Sequence, residues 1–187
     1  MVDELETLLT AASADLVRRY YVTFPGRWFD ITPDTDPYRF TLTDVAALAV
    51  LDVNIPSWSI EALLTDVEFG RLLRELPLNL GLAQSDSKDV EPAEEMWQRL
   101  RSLKGIGRTK TSKLLARKRP HLIPVYDRVV DRALGLRSSP DGWSYFRTQL
   151  NRPQLVDAIR GLRESAQVPA AVSDLRLLDV AIWTTHR

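Results

Sequence analysis

Two features between residues 103 and 132 could do chemistry: a turn with two glycines, and an aspartate that follows a proline. The stretch reads LKGIGRTKTSKLLARKRPHLIPVYDRVVDR. Gly105 and Gly107 allow a tight backbone path and leave room for a phosphate. The first amides of the next helix would lack partners, and its positive end would favour an anion. The pattern predicts a helix–hairpin–helix that binds phosphates without sequence preference.

Basic side chains surround this predicted hairpin. Arg108, Lys110 and Lys113 would add the positive charge that contacts to a phosphate backbone need. The alternative is a plain corner between two helices whose glycines only turn the chain. The basic run 117–119 has an alternative too, as a solvated helix C-terminus where cations favour the dipole.

Composition limits the chemistry that the chain can support. The 187 residues contain no cysteine, which excludes disulfides, thiolate metal sites and cysteine-ligated iron–sulfur clusters. His121 and His186 show no metal-ligand spacing, so no metal site is expected. No apolar run reaches the roughly 20 residues of a membrane helix, and the acidic start MVDELETLL is unlike a signal peptide. We therefore expect a cytoplasmic protein, by default a monomer.

The net charge of zero conceals a strong asymmetry. Residues 99–137 carry 12 Lys/Arg and 2 Asp/Glu, a local balance of +10, whereas residues 1–98 carry 7 and 18, a balance of −11. Charge separated in this way can direct a polyanion onto one face of a neutral molecule. The alternative is a solvated basic helix whose positive charges balance those of acidic neighbours.

Helical periodicity dominates the chain. The pattern predicts one helix over 3–22, a loop over 23–40, a helix capped by Thr41 or Thr43, and one helix from Ser57 or Ser59 to Leu76. A further helix is expected to begin at Pro92, and about three more follow the hairpin region, with Pro140, Pro153 and Pro169 near their starts. The sequence thus predicts a single all-α domain over 1–187, with the helix–hairpin–helix, loop and aspartate-bearing helix at 93–137.

Two segments, KGIGRTKTSKLL and IPVYDRVVDRALGL, resemble the helix–hairpin–helix–GPD superfamily of DNA glycosylases, to which endonuclease III belongs. In that family the hairpin is followed by a Gly/Pro-rich loop and an aspartate that opens a helix. Here Pro124 lies in the loop, Asp127 takes the place of the aspartate, and Val130 and Arg132 follow at the family's offsets. The likeness covers about forty residues and implies a two-lobed helical fold.

The resemblance implies that Asp127 is the catalytic carboxylate of N-glycosidic bond hydrolysis on a damaged or modified base. Breaking that bond builds positive charge on the sugar, which a nearby carboxylate stabilises. The alternative role for Asp127 is a simple N-cap of its helix. Bifunctional members carry a lysine two residues after the second hairpin glycine, where this chain has Thr109. The resemblance therefore implies base removal without strand nicking.

The same resemblance also implies a partner, further site residues and a possible bound cation. Double-stranded DNA is the implied partner, contacted through Gly105, Gly107, Arg108, Thr109, Lys110 and Lys113. Asn54 corresponds to the family's wedge residue, and Tyr126, Trp28 and Trp58 are candidates for the wall of a base pocket, although large aromatic residues usually pack in cores. No cofactor is required, but the resemblance allows a monovalent cation on the hairpin carbonyls.

Two other functions remain open from the sequence. One is a non-catalytic nucleic-acid-binding module that keeps the fold. The other is a protein-interaction domain whose acidic N-terminal half binds a basic partner, with a purely structural hairpin.

Overall fold

The fold is described here from a computed structural model, which covers residues 4–11, 14–136 and 141–187. Within these ranges the chain forms twelve α-helices and one short 3-10 helix, and no strand, which confirms the all-α class. The helices are α1 Glu4–Ala11, α2 Ala14–Thr23, α3 Arg27–Ile31, α4 Leu42–Ala49, α5 Ser57–Thr65, α6 Val67–Glu75, α7 Ser87–Ser102, α8 Arg108–Lys118, α9 Arg128–Leu134, α10 Asp141–Leu150, α11 Pro153–Ala166 and α12 Asp174–His186, with the 3-10 helix at Leu82–Gln84.

Helix capping explains where several elements begin. Thr41 starts α4 as expected and forms a capping box with Asp44. Asp66 divides the single helix expected after Ser57 into α5 and α6, because its carboxylate accepts a hydrogen bond from the Glu68 amide at 3.0 Å. Pro153 is the first residue of α11, a position that suits its missing N–H.

Two further features differ from the sequence prediction. Helix α7 begins at Ser87, five residues before Pro92, because Asp86 caps it by accepting from two backbone amides. Pro92 therefore lies inside the helix, where it cannot donate a backbone hydrogen bond. The expected loop 23–40 contains the short helix α3, which is anchored by buried Phe29.

The core is built around α12. Its residues 175–182 are all buried, and the helix packs against α1, α2, α9 and α11. Helix α8 packs against α4 and α7. This arrangement brings the start of α8, the start of α9 and one side of α12 together, although more than 60 residues separate the first from the last. The expected division into two lobes stays a prediction, and Pro140 lies outside the described residues.

None of the described helices combines the length and the apolar character that crossing a membrane requires.

Candidate functional site

An open cleft of about 610 Å³ lies where the hairpin, the start of α9 and the segment after α4 meet. Five residues predicted from the sequence line it: Asn54, Thr109, Lys110, Lys113 and Asp127. Tertiary structure thus brings the expected carboxylate next to the side chains of the hairpin helix. The segment after α4 contributes Asn54, exposed at the cleft, as well as Asp52.

Asp127 caps α9 and also lines the cleft. Its Oδ1 accepts hydrogen bonds from the amides of Val129 at 2.8 Å and Val130 at 3.0 Å. Within the described parts of the chain, its Oδ2 accepts none. The capping interaction fixes the carboxylate through one oxygen, so the second oxygen stays available to a molecule in the cleft.

The hairpin turn depends on its first glycine. Gly105 has a φ of +80°, and a Cβ there would lie 2.8 Å from Cγ of Pro56. Gly107 is the extended N-cap of α8, and a Cβ there would meet no atom within 4 Å. No side chain caps the first turn of α8. Gly105 is therefore needed for the turn itself, whereas Gly107 leaves the start of α8 open.

The three basic residues predicted to contact phosphates differ in their surroundings. Arg108 forms an ion pair with Asp131 at 2.8 Å. The Lys110 ammonium donates to the Gly105 carbonyl at 2.8 Å. Lys113 is only 6% exposed, and burial lowers the pKa of its ammonium, an effect that nearby Asp179 and Asp127 oppose. Lys113 therefore faces the carboxylates of the cleft.

The carbonyls of the hairpin turn, on which the resemblance allows a monovalent cation, accept several hydrogen bonds. Leu103 accepts from the Ile106 amide at 3.0 Å, and Lys104 accepts from the Ser59 hydroxyl at 2.6 Å. The Gly105 carbonyl accepts from the Lys110 ammonium at 2.8 Å. The cation at the hairpin stays a prediction. Elsewhere, the described residues contain no group of three or more His, Cys, Asp or Glu that could hold a metal ion.

The basic run 117–119 is internal, so the interpretation as a solvated helix end was wrong. Arg117, Lys118 and Arg119 are each 7% exposed or less. Lys118 lies 2.6 Å from Asp44 and 2.7 Å from Asp34, and Arg119 donates to backbone carbonyls that include Leu76 at 3.0 Å. These three cations join α8 to the N-terminal half and contribute little to a surface stripe.

A second cavity of about 230 Å³ borders the cleft, and Asp127, Lys113 and Asp52 line both. Asp52 has a φ of +56°, an uncommon backbone conformation that Asp tolerates better than most residues. The other walls of this cavity were not predicted. They are Tyr20 from α2, Phe24 directly after α2, Leu51 from the segment after α4, and Arg176, Asp179, Val180 and Trp183 from α12. No local spacing could have revealed them, because α2 and α12 are about 150 residues apart.

A protein-family comparison matches residues 13–186, nearly the whole chain, to a family described as one of unknown function, DUF6308. The chain belongs to the DUF6308 family. No curated protein and no solved structure matches this DUF6308 chain.

The aromatic residues expected at a base pocket lie elsewhere in this DUF6308 protein. Tyr126 is fully buried, with its ring against Trp97 and beneath the Arg108 guanidinium. Trp28 and Trp58 are 49% and 66% exposed and line neither cavity. Instead Tyr20, Phe24 and Trp183 contact one another and supply the aromatic surface beside Asp127.

In chemical terms, the DUF6308 chain offers an open cleft that ends in a smaller, partly aromatic cavity. Carboxylates and one buried amine lie where the two meet. Such a combination suits a planar, polar group inserted from a larger ligand.

Proposed function

We propose that the chain binds nucleic acid through its hairpin and hydrolyses the N-glycosidic bond of a damaged or modified base. One observation carries the proposal: Asp127 and the start of the hairpin helix line the same open cleft. A duplex held at the hairpin would place a sugar near this carboxylate only if the target nucleotide left the stack.

The smaller cavity supports the proposal because an extruded base needs an enclosed space. Phe24 and Trp183 give it apolar surface, and the carboxylates at its mouth would face the sugar side. At about 230 Å³ it has the room of roughly eight water molecules at about 30 Å³ each. In this proposal Tyr20, Phe24 and Trp183 replace the wall residues expected from the sequence.

Asp127 would stabilise the positive charge that develops on the sugar as the bond breaks. Its carboxylate is held by two backbone amides, so little reorganisation is needed when the charge appears. Thr109 lies in the cleft, and by the resemblance it takes the position where bifunctional members of that superfamily carry lysine. Base removal without strand cleavage is therefore the proposed outcome.

The deciding experiment measures base release from duplexes that carry one deaminated, one oxidised or one N-alkylated base. Asp127→Asn removes the charge but keeps a favoured capping residue, so the fold is retained. We expect release to fall by about a hundredfold or more.

The matched control is Asp86→Asn, the same substitution at the N-cap of α7, away from the cleft. It should leave release unchanged. Equal release by wild type and Asp127→Asn would remove Asp127 from the reaction, and no release by wild type from any duplex would refute the proposed function.

A further inference from the structure

A second carboxylate, Asp179 on α12, lines the smaller cavity together with Asp127. It is 5% exposed, and its Oδ2 is hydrogen-bonded to Nη1 of Arg176. Its Oδ1 is buried and has no hydrogen-bond partner among the residues that the structure describes. A buried carboxylate oxygen without a partner is costly unless it carries a proton or meets a ligand.

The charge balance around Asp179 favours a bound proton. Arg176 also pairs with Asp30, at 2.7 Å from Nε to Oδ1, and donates to the Tyr20 hydroxyl at 2.6 Å. Among the described cations, Arg176 is the one that forms ion pairs with these two buried carboxylates, so this ion-paired group holds one negative charge in excess. A single proton shared within this group relieves that excess.

Burial raises the pKa of Asp179 to about 6, against the lowering effect of Arg176. Asp127, at the start of α9, and Asp30, on α3, raise this pKa further, whereas Lys113 on α8 lowers it. The hydroxyls of Tyr20 and Tyr21 on α2 also face the group; burial raises the pKa of both, so they stay neutral beside it.

This inference rests on the proposed function. We infer that Asp179 is the proton donor to the departing base, and that the substrates are uncharged bases which need this proton in order to leave. Asp127 and Asp179 then have separate roles at one cavity. The first stabilises the sugar side of the breaking bond, and the second neutralises the base side.

The proton balance is as follows. The bond between C1′ and the base nitrogen breaks, and its electron pair goes to the base. The carboxyl proton of Asp179 moves to a ring nitrogen, so the base leaves neutral. Water adds its oxygen to C1′ and releases one proton to solvent, and a solvent proton restores Asp179. One water molecule is consumed and no other reactant is required.

The test is the pH dependence of single-turnover base release from duplexes with one uncharged modified base. For wild type, the rate should fall by about tenfold per pH unit above pH about 6, as the proton donor ionises. Asp179→Asn should be slower by about a hundredfold and should lack this alkaline decline. A cationic 7-methylguanine leaves as a neutral base without a proton, so its release should be nearly insensitive to Asp179→Asn.

Asp30→Asn separates proton donation from a purely structural role, because Asp30 lines neither cavity that contains Asp127. With Asp30 neutral, Arg176 pairs with Asp179 alone, so the alkaline decline should move to lower pH. If Asp179→Asn fails to fold, Asp30→Asn still tests the inference through this shift of the alkaline decline. The control is Asp174→Asn, on the first turn of α12 outside both cavities, which should leave rate and profile unchanged.

Wild-type release that does not decline near pH 6 would overturn the inference, and so would a decline that Asp30→Asn fails to move or a profile that Asp179→Asn keeps. In each of these cases the proposed function survives. Absence of release by wild type from every duplex would instead overturn both.

Discussion

At position 127 one side chain serves the fold and faces the cleft, since only one of its oxygens accepts the amides of α9. The capping role and the proposed catalytic role were opposed interpretations of the sequence. The geometry makes the two roles compatible, because the capping hydrogen bonds hold the Asp127 carboxylate in place at the mouth of the cavity. A helix start immobilises a short side chain without enclosing it.

The hairpin glycines provide a residue-scale prediction in which stability and affinity change in opposite ways. Gly107→Ser places a favoured capping side chain over the first amides of α8, where no atom lies within 4 Å of a Cβ. We expect urea denaturation to show an equal or higher free energy of unfolding, by roughly a few tenths of a kcal/mol. Duplex affinity, measured by fluorescence anisotropy at low salt, should fall because the hydroxyl competes with phosphate for these amides.

Gly105→Ser is the paired variant. The φ of +80° and the contact with Pro56 should cost about 1–2 kcal/mol of unfolding free energy. If Gly107→Ser left duplex affinity unchanged, the hairpin would not be the phosphate contact.

At the scale of elements, α8 shows how a run of charges can mislead. One interpretation of the basic run 117–119 was a solvated helix end, but the structure places Arg117, Lys118 and Arg119 in the interior. Their partners, which include Asp34, Asp44 and the carbonyl of Leu76, come from earlier segments of the chain. A helix pattern does not disclose such partners because they are separated from it by more than 40 residues.

Lys118 supplies the corresponding prediction. Lys118→Met removes the cation that lies 2.6 Å from Asp44, whose side chain is fully buried and also belongs to the capping box of α4. Leaving such a charge with one partner fewer should lower the free energy of unfolding by about 3 kcal/mol.

Urea denaturation checks this value, with Arg101→Met on the exposed side of α7 as the control that should change stability little. A loss of stability no larger than that of Arg101→Met would show that the Lys118 pair contributes nothing net.

At the scale of the whole molecule, ion pairs within the fold neutralise part of the charge separation seen in the sequence. The N-terminal acidic residues Asp34, Asp44 and Asp66 pair with cations from the basic stretch. Arg101, Lys104, Arg128 and Arg132 stay exposed in that stretch. The proposed nucleic-acid surface therefore depends on a few cations near the hairpin and on the amides of α8 rather than on a wide basic stripe.

The buried carboxylates also predict how stability varies with pH. Burial raises the pKa of Asp179 to about 6 and raises that of Asp30. A raised folded-state pKa means that the folded protein binds the proton more tightly. The resulting stabilisation is complete below the ordinary carboxyl range and is lost as pH rises through about 6.

Wild type should therefore lose stability relative to Asp179→Asn between pH about 4 and about 7, since Asn stays neutral throughout. Urea denaturation across this range measures the difference. A difference that is independent of pH would show that Asp179 titrates as an ordinary carboxyl.

The sequence alone determined the helical class, the hairpin turn and the position of Asp127, because each follows from local periodicity, glycine geometry or helix capping. It placed Asn54, Thr109 and Lys113 among the candidates, and the structure gathers them into one cleft with Asp127. Only the tertiary structure decided the rest. The packing of α2 against α12 brings together Tyr20, Phe24, Asp179 and Trp183. Partners from distant parts of the chain bury Arg117, Lys118 and Arg119. Local patterns record which face of a helix is apolar, whereas cavities and buried ion pairs arise from contacts between distant segments.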